Sequence, residues 1–446
     1  MPDLLIIENG FVLTLNDRDD AYACGSVVIQ GSRILDIGPT EALRTKYPSE
    51  NAPENVHVID ATGKCVMPGL IDLHYHTAIA KGWNDHLPLL EWLETCWYPL
   101  VKGMTAPEAY CAGLLSYAES IKCGVTTIND MYRNVEALAD AAEAIGIRAV
   151  LSNELADDEY GLDTLQTARE AFAAKNNAAR GRIGVRIGVE WLPISSHALL
   201  RGARKLADEL GTGMHIHLSE SLNEVETSIK KLGRRPIEVA YDHGILGPDC
   251  IAAHCVWTTD AEIALLRETG THVSHNPSSN AKLGNGIMRL PEMLAQGINV
   301  GLGHDAAECN NSLDMFQVMK FTALIHRANR VDPSLLQAPD LLKLATRNGA
   351  RALGHETGEL SPGKCADIIL IDLNSEMFTP LNPHDKKHLM SHLVYAANGS
   401  CVDTTIIDGE IVMQGRKLTK VNERDVLQDA NRAFQRLVNA VPAPER

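Results

Sequence analysis

The sequence predicts an α/β fold, a (β/α)8 TIM barrel with a small all-β domain formed by its N- and C-terminal segments. Three observations predict it. Eight apolar runs alternate with helical stretches between residues 63 and 363, short strand-like segments fill residues 1–62 and 364–446, and polar residues gather at the C-terminal ends of the apolar runs. The chain has 446 residues, 45% of them hydrophobic, which is ample for a large barrel.

The eight runs are LIDLHYH (70–76), GVTTINDMY (124–132), IRAVLSNEL (147–155), RIGVEW (186–191), MHIHLSE (214–220), CIAAHCV (250–256), THVSHNP (271–277) and INVGLGHDA (298–306). Several stay apolar until a polar residue closes them, as expected of parallel strands packed on both faces. Candidate helices include ALADAAEAIG, ARKLADELG, DAEIALLRETG and LPEMLAQG. One can be checked locally. Ser221 and Glu224 have capping-box spacing, and NEVETSIKKLG ends on two lysines and Gly233, as a helix C-terminus should.

At the N-terminal end, LLIIEN, GFVLTL, SVVIQ, RILDIG and VHVID read as strands, with Gly31-Ser32 at two-residue hairpin spacing. At the other end ADIILID, TTIID and EIVMQG follow the same style, and Asp408-Gly409 is the strongest hairpin signal in the chain. Neither piece alone buries a sufficient face. Residues 1–62 and 364–446 are therefore expected to form one composite domain beside a catalytic barrel of residues 63–363.

Forty-one Lys+Arg against 57 Asp+Glu give a net charge of −16, which opposes nucleic acid and anionic membranes as partners. Asp3 and Glu8 interrupt an N-terminal apolar run too short for a signal core or a membrane span. The ten cysteines stand singly with no CxxC pair, which suits free thiols in a reducing compartment. A cytoplasmic location is expected.

The chemistry lies at the ends of the runs. In His74-Tyr75-His76, residues i and i+2 face the same way on a strand, so both imidazoles can converge on one ion. With 17 histidines in the chain such a pair can arise by chance. His215-Ile216-His217 ends the fifth run and is followed by Glu220; His217 is the third candidate ligand, His215 reads as structural, and Glu220 can stand beside the ion as general acid/base. His254 ends the sixth run and Asp305 the eighth. Catalytic groups of this architecture come from the C-terminal ends of different strands, and four hits on that rim outweigh any single motif.

Three neutral imidazoles and one carboxylate, from His74, His76, His217 and Asp305, suit one divalent ion, Zn²⁺ first and Fe²⁺ second, with a position left for water. The fourth run, RIGVEW, contains no lysine for a carbamate bridge between two metals, so a mononuclear centre is favoured over one in which Glu190 holds a second ion.

MPGLIDLHYH, GVTTINDMY, HIHLSE, IAAHCV, SHNPSSNAKLGNGI, NNSLDMF and GELSPGKCADIILID together resemble the amidohydrolase superfamily over nearly the whole chain. The resemblance is to its branch of cytosine, guanine and S-adenosylhomocysteine/methylthioadenosine deaminases and triazine chlorohydrolases. It implies that the small all-β domain is a β-sandwich flanking the barrel, and that metal-activated water attacks a ring carbon with release of ammonia. Asp305 would bind the metal and orient or deprotonate the water. Glu220 would carry a proton to the ring nitrogen and then to the leaving amine, and His254 would steady the attacking oxygen. Homologues of this kind are often oligomers, so a homo-oligomer is expected.

The chain departs from the nucleoside deaminase pattern around the expected pocket. Gly303-His304-Asp305-Ala306-Ala307-Glu308-Cys309-Asn310-Asn311 stands where that group reads Gly-Thr-Asp-Gly-Ala-Ala-Ser-Asn-Asn, so His304 and Glu308 are expected to alter the pocket floor. Trp191-Leu192 replaces a Pro-His pair, and Asn153 stands where an arginine is common. These changes remove groups suited to a nucleoside with an amino-acid tail and point to a smaller or differently substituted azaheterocycle. Trp83, His275 and Asn280 are further substrate-contact candidates, whereas Trp92 and Trp97 in LLEWLETCWYPL read as helix packing.

The leading expectation is hydrolytic deamination of an aromatic azaheterocycle of purine, pyrimidine, pterin or triazine type. The same site could instead expel chloride, an alkylamine or a thiolate, or cleave a urea-type bond. A catalytically inert binding homologue is disfavoured, because such proteins commonly lose ligands or the acid/base and here all are present.

Overall fold

The computed structural model describes residues 4–47, 56–83, 87–382 and 384–440; Asp3 lies outside them. The barrel strands are β1 (Leu70–His76), β2 (Val125–Met131), β3 (Arg148–Ser152), β4 (Ile183–Val189), β5 (Met214–Leu218), β6 (Cys250–His254), β7 (His272–His275) and β8, which comes in two pieces, Val300–Leu302 and Asp305–Ala306. All neighbours pair in parallel in sequence order. The first piece of β8 pairs with β7 and the second with β1, Asp305 opposite Tyr75, so the sheet closes on itself.

The break in β8 has a local cause. A Cβ on Gly303 would lie 2.5 Å from Asn276 Oδ1 and 2.8 Å from the His74 nitrogen, so only glycine lets the chain pass there. Asp305 then adopts φ 70°, which turns its side chain away from the regular strand direction.

The helices fall where the apolar spacing places them, at Val135–Ile145, His197–Leu210, Leu222–Leu232, Asp260–Thr269 and Leu290–Ala295. Leu222–Leu232 is capped by Ser221 Oγ, which accepts from the Glu224 nitrogen at 3.2 Å, and ends on Gly233 at φ 80°.

Both chain ends contribute to one nine-stranded sheet. LLIIEN and GFVLTL form a single strand, Leu4–Leu13, whose irregular register falls at Asn9-Gly10. Gly31-Ser32 turns Ala21–Gln30 into Arg33–Pro39, and Asp408-Gly409, both at positive φ, turns Val402–Ile407 into Glu410–Gln414. Leu5, Ile7, Val27, Ile29, Ile368, Leu370 and Ile406 pack into one buried cluster, so segments more than 300 residues apart share the sandwich core. Lys64–Pro68, which the sequence reading assigned to no strand, joins this sheet between Leu4–Leu13 and Ile368–Asp372.

Arg148 opens β3 and grips Asp367 through two bonds, Nε to Oδ2 at 2.7 Å and a terminal nitrogen to Oδ1 at 3.0 Å. This pairing fixes the sandwich to the N-terminal end of a barrel strand and leaves the opposite rim open. The C-terminal helix Glu423–Ala440 packs on the barrel helix Ala106–Lys122, with Lys122 Nζ 2.6 Å from Glu423 and Arg436 paired to Glu108. No helix among the described residues is long and apolar enough to cross a membrane.

Candidate active site

Strand alternation points His74 and His76 into the same rim space, and β5, β6 and β8 deliver His217, His254 and Asp305 to it. His76 Nε2 and His217 Nε2 stand 3.1 Å apart with their rings stacked, and Asp305 Oδ1 lies 3.5 Å from His76 Nε2 and 3.7 Å from His74 Nε2. His254 Nε2 is 3.8 Å from Asp305 Oδ2. His254 and Asp305 both sit at positive φ, a strained backbone of the kind found at functional sites.

The hydrogen bonds assign the tautomers. His76 Nδ1 donates to the Met131 carbonyl at 2.6 Å and His217 Nδ1 to the Glu190 carbonyl. His74 Nδ1 meets His215 Nε2 at 2.8 Å, and His254 Nδ1 donates to Asn280 Oδ1 at 2.9 Å. For His76, His217 and His254 the Nε2 is thereby left as a bare lone pair, the arrangement in which metal-binding histidines are held. Burial drives His74, His76 and His217 below the ordinary imidazole value of 6.5, so they are neutral and able to donate those lone pairs. His74 Nε2 and His254 Nε2 are buried with no hydrogen-bond partner, and two lone pairs 3.1 Å apart repel. A cation among them satisfies all of these groups, so the residues present fit a divalent ion.

His215 thus holds a candidate ligand without facing the ion. A His215→Ala variant is expected to weaken zinc affinity about 10- to 100-fold while the fold persists, read by competition with a chelating dye. Unchanged affinity would remove His215 from this role.

Glu220 follows β5 and is 6% exposed. Its Oε1 accepts from Asn285 Nδ2 at 2.8 Å and lies 3.9 Å from His254 Nδ1. Burial first, and then the Asp305 carboxylate, hold its carboxyl well above the usual range, as suits a group that gives and takes a proton near neutrality. Glu224, fully buried, accepts the backbone N–H of Ser219 at 2.9 Å and of Glu220 at 2.7 Å. The capping box therefore closes on the turn that carries Glu220 and not on the Ser221 nitrogen. Glu224→Gln replaces one acceptor with a donor facing an N–H. It is expected to lower kcat about tenfold with KM little changed, since a misplaced buried donor costs about 1–3 kcal/mol; unchanged kcat would show that the turn holds without it.

These groups open onto a cleft walled by Trp92, Trp97, Trp191, Leu89, Leu93 and Leu283 and floored by the His/Asp cluster with Glu190 and Glu220. The amidohydrolase family model matches residues 65–412, which span the barrel and every one of these groups. The chain belongs to the amidohydrolase family.

A shorter match, residues 27–49, is to the imidazolonepropionase-like composite domain of bacteria. This amidohydrolase is 39% identical to the 5'-deoxyadenosine deaminase of Methanosarcina mazei over 98% of the chain and 99% of that relative. It is 40% identical to the 5-methylthioadenosine/S-adenosylhomocysteine deaminase of Acetivibrio thermocellus, over 95% and 96%. Among solved structures, an adenosine deaminase from Xanthomonas campestris with bound zinc superposes with a TM-score of 0.89 at 28% identity, covering 98% of both chains.

The amidohydrolase cleft takes in Trp191 but not the other sequence-derived contact candidates. Trp83 packs edge-on against Phe434, ring centroids 6.4 Å apart, because the C-terminal helix reaches the loop after β1. Asn153 is buried and donates to Asp163 at 3.1 Å. His275 faces His326, Nε2 to Nε2 3.0 Å, and Asn280 serves His254 as described. His304 is fully buried on Asp72, Nδ1 to Oδ2 2.6 Å; burial disfavours its charge, but Asp72 raises its pKa nonetheless. Glu308 accepts the nitrogens of Ile79 and Ala80 at 2.8 and 2.7 Å, anchoring the loop after β1. His304 and Glu308 therefore brace the chain around the cleft and do not form its floor.

Trp92 and Trp97 pack in the main core as expected and also wall the cleft. They are five residues apart, which an α-helix turns to different faces. Leu93–Trp97 is instead a π-helical turn, and the two indoles stack with centroids 5.5 Å apart while Trp97 meets His76 edge-on at 5.7 Å. Glu190 also lines the cleft. Burial and the neighbouring Glu220 push its carboxyl up to about 8. Sequence reasoning missed Asn285 and Ser279, whose hydroxyl donates to Asp305 Oδ2 at 2.6 Å. Both stand in SHNPSSNAKLGNGI, but no local spacing says which distant carboxylate they meet.

Proposed function

We propose that this amidohydrolase removes the exocyclic amino group of an adenosine-type nucleoside by hydrolysis, exchanging it for oxygen and releasing ammonia. The observation that carries the reading is the convergence of the Nε2 atoms of His74, His76, His217 and His254 with the carboxyls of Asp305 and Glu220 on the floor of one aromatic cleft. Deaminases of adenosine derivatives among its relatives, at 36–40% identity, support the substrate class.

His74, His76 and His217 through Nε2 and Asp305 through Oδ1 are the proposed ligands of a divalent ion, with zinc suited to the donor set and present in the related adenosine deaminase structure. Such an ion lowers the pKa of a water toward neutrality and makes it a nucleophile. His254 Nε2 and Asp305 Oδ2, 3.8 Å apart, hold and orient the attacking water, with Ser279 fixing the carboxylate and Asn280 the imidazole. Glu220, steadied by Asn285, passes its proton to the ring nitrogen as the adjacent carbon is attacked, regains one from the attacking water and gives it to the departing amine. Trp92, Trp97 and Trp191 flank the ring and exclude bulk water.

The test is ammonia release by the metal-loaded protein from 5'-deoxyadenosine, 5'-methylthioadenosine, adenosine, guanine, cytosine and aminotriazines. Release from the adenosines, with the inosine-type product, is the expected result. Ammonia only from other rings would replace the substrate class. Release of chloride or alkylamine from substituted triazines, without ammonia from any compound, would replace the reaction.

A further inference from the structure

Beyond Leu89, Trp191 and Leu283 the cleft adjoins a second chamber that opens to solvent. Those three side chains wall both spaces, so the two hollows are neighbours on either side of Leu89, Trp191 and Leu283. The second chamber also carries Leu90, Leu222 and Trp257, which are 39%, 47% and 40% exposed. Three large apolar side chains left open to solvent around one hollow mark a binding surface. None of its described lining residues is charged, and its polar side chains are Ser221, Asn223 and Asn285. Ser221 already caps a helix and Asn285 already holds Glu220. Trp257 is itself fixed, its indole N–H donating to the Asn285 carbonyl at 2.6 Å, so its ring is a preformed wall.

We infer that this chamber is a subsite for an uncharged, apolar substituent of the nucleoside, an alkyl or thioether tail, and that it discriminates against a zwitterionic amino-acid tail. The inference rests on the deaminase reading and narrows its substrate class. Its relatives leave both kinds of tail open, one being a deaminase of the tail-less 5'-deoxyadenosine and the other of both methylthio and homocysteine derivatives. An apolar tail gains by leaving water for the faces of Leu222 and Trp257. An ammonium and a carboxylate would lose hydration there with no charged side chain among the described lining residues to replace it.

The experiment is steady-state ammonia release by the metal-loaded full chain on 5'-methylthio-, 5'-ethylthio- and 5'-butylthioadenosine. 5'-Deoxyadenosine is the tail-less reference and S-adenosylhomocysteine the charged comparator. Along the thioether series kcat/KM is expected to rise about two- to fourfold per methylene, with S-adenosylhomocysteine at least tenfold below the butyl compound. Leu222→Asp, at an exposed first-turn helix position where an acid is tolerated, is expected to flatten the series. A flat or falling wild-type series with 5'-deoxyadenosine turned over overturns the subsite and leaves the deaminase reading intact. So does S-adenosylhomocysteine matching the butyl compound. No ammonia from any of the adenosines removes the deaminase reading and the subsite with it.

Discussion

Replacing Glu220 with glutamine is expected to lower kcat about 10³-fold, roughly 4 kcal/mol of barrier, with metal content, KM and melting temperature little changed. The reasoning is steric and electrostatic. Glutamine keeps the volume of a side chain that is only 6% exposed, and its amide oxygen can still accept from Asn285 Nδ2. What it loses is the proton. Burial and Asp305 hold the Glu220 carboxyl well above the usual range, so in the native cleft it can shuttle a proton near neutral pH, and an amide cannot. Ammonia release at saturating substrate, with metal measured on the same sample, is the direct reading. A kcat within tenfold of the native chain would make Glu220 a structural residue and return the proton transfer to another group.

Chelation of the metal-loaded protein is expected to abolish activity and to lower the melting temperature by about 4 °C. That figure takes free metal at about 1,000 times its dissociation constant, roughly 4 kcal/mol of linkage, against the unfolding entropy of a chain this long. The native geometry argues for the direction, because removing the ion leaves His76 Nε2 and His217 Nε2 facing each other as lone pairs at 3.1 Å. Acid acts the same way. The folded pKa values of His74 and His217 lie well below the 6.5 of the unfolded chain, so below about pH 6.5 the unfolded state takes up more protons and stability falls. Differential scanning fluorimetry with and without chelator, from pH 5 to 8, measures both. Identical melting curves across the series would exclude a bound ion as part of the native state.

The barrel was legible because its signals are local. Each apolar run, with a polar residue at its C-terminal end, carries its own strand assignment, and the two hairpins, Gly31-Ser32 and Asp408-Gly409, need only two residues each. The same holds for His74 and His76, whose common direction follows from strand alternation. LLEWLETCWYPL packs as its apolar pattern predicts, but an α-helical period does not foresee the π-turn at Leu93–Trp97 that sets both tryptophans on the cleft wall as well. For Trp83, Asn153, His275, His304 and Glu308, nearness to a strand end in sequence does not say which partner captures the side chain. Phe434, Asp163, His326, Asp72 and the Ile79-Ala80 backbone did so.

By itself, then, the sequence determined the strand order, the rim on which the imidazoles and carboxylates gather, and the kind of ion those donors suit. These follow from periodicity, residue type and the chirality of parallel βα units. The tertiary structure alone decided which side chains brace them: Asn285 on Glu220, Ser279 on Asp305, Asn280 on His254 and His215 on His74, across separations of 26 to 141 residues. It also decided that an apolar chamber adjoins the cleft. Such contacts depend on how layers pack and which buried polar atom finds a partner, and that is a property of the closed barrel, not of any segment of the chain.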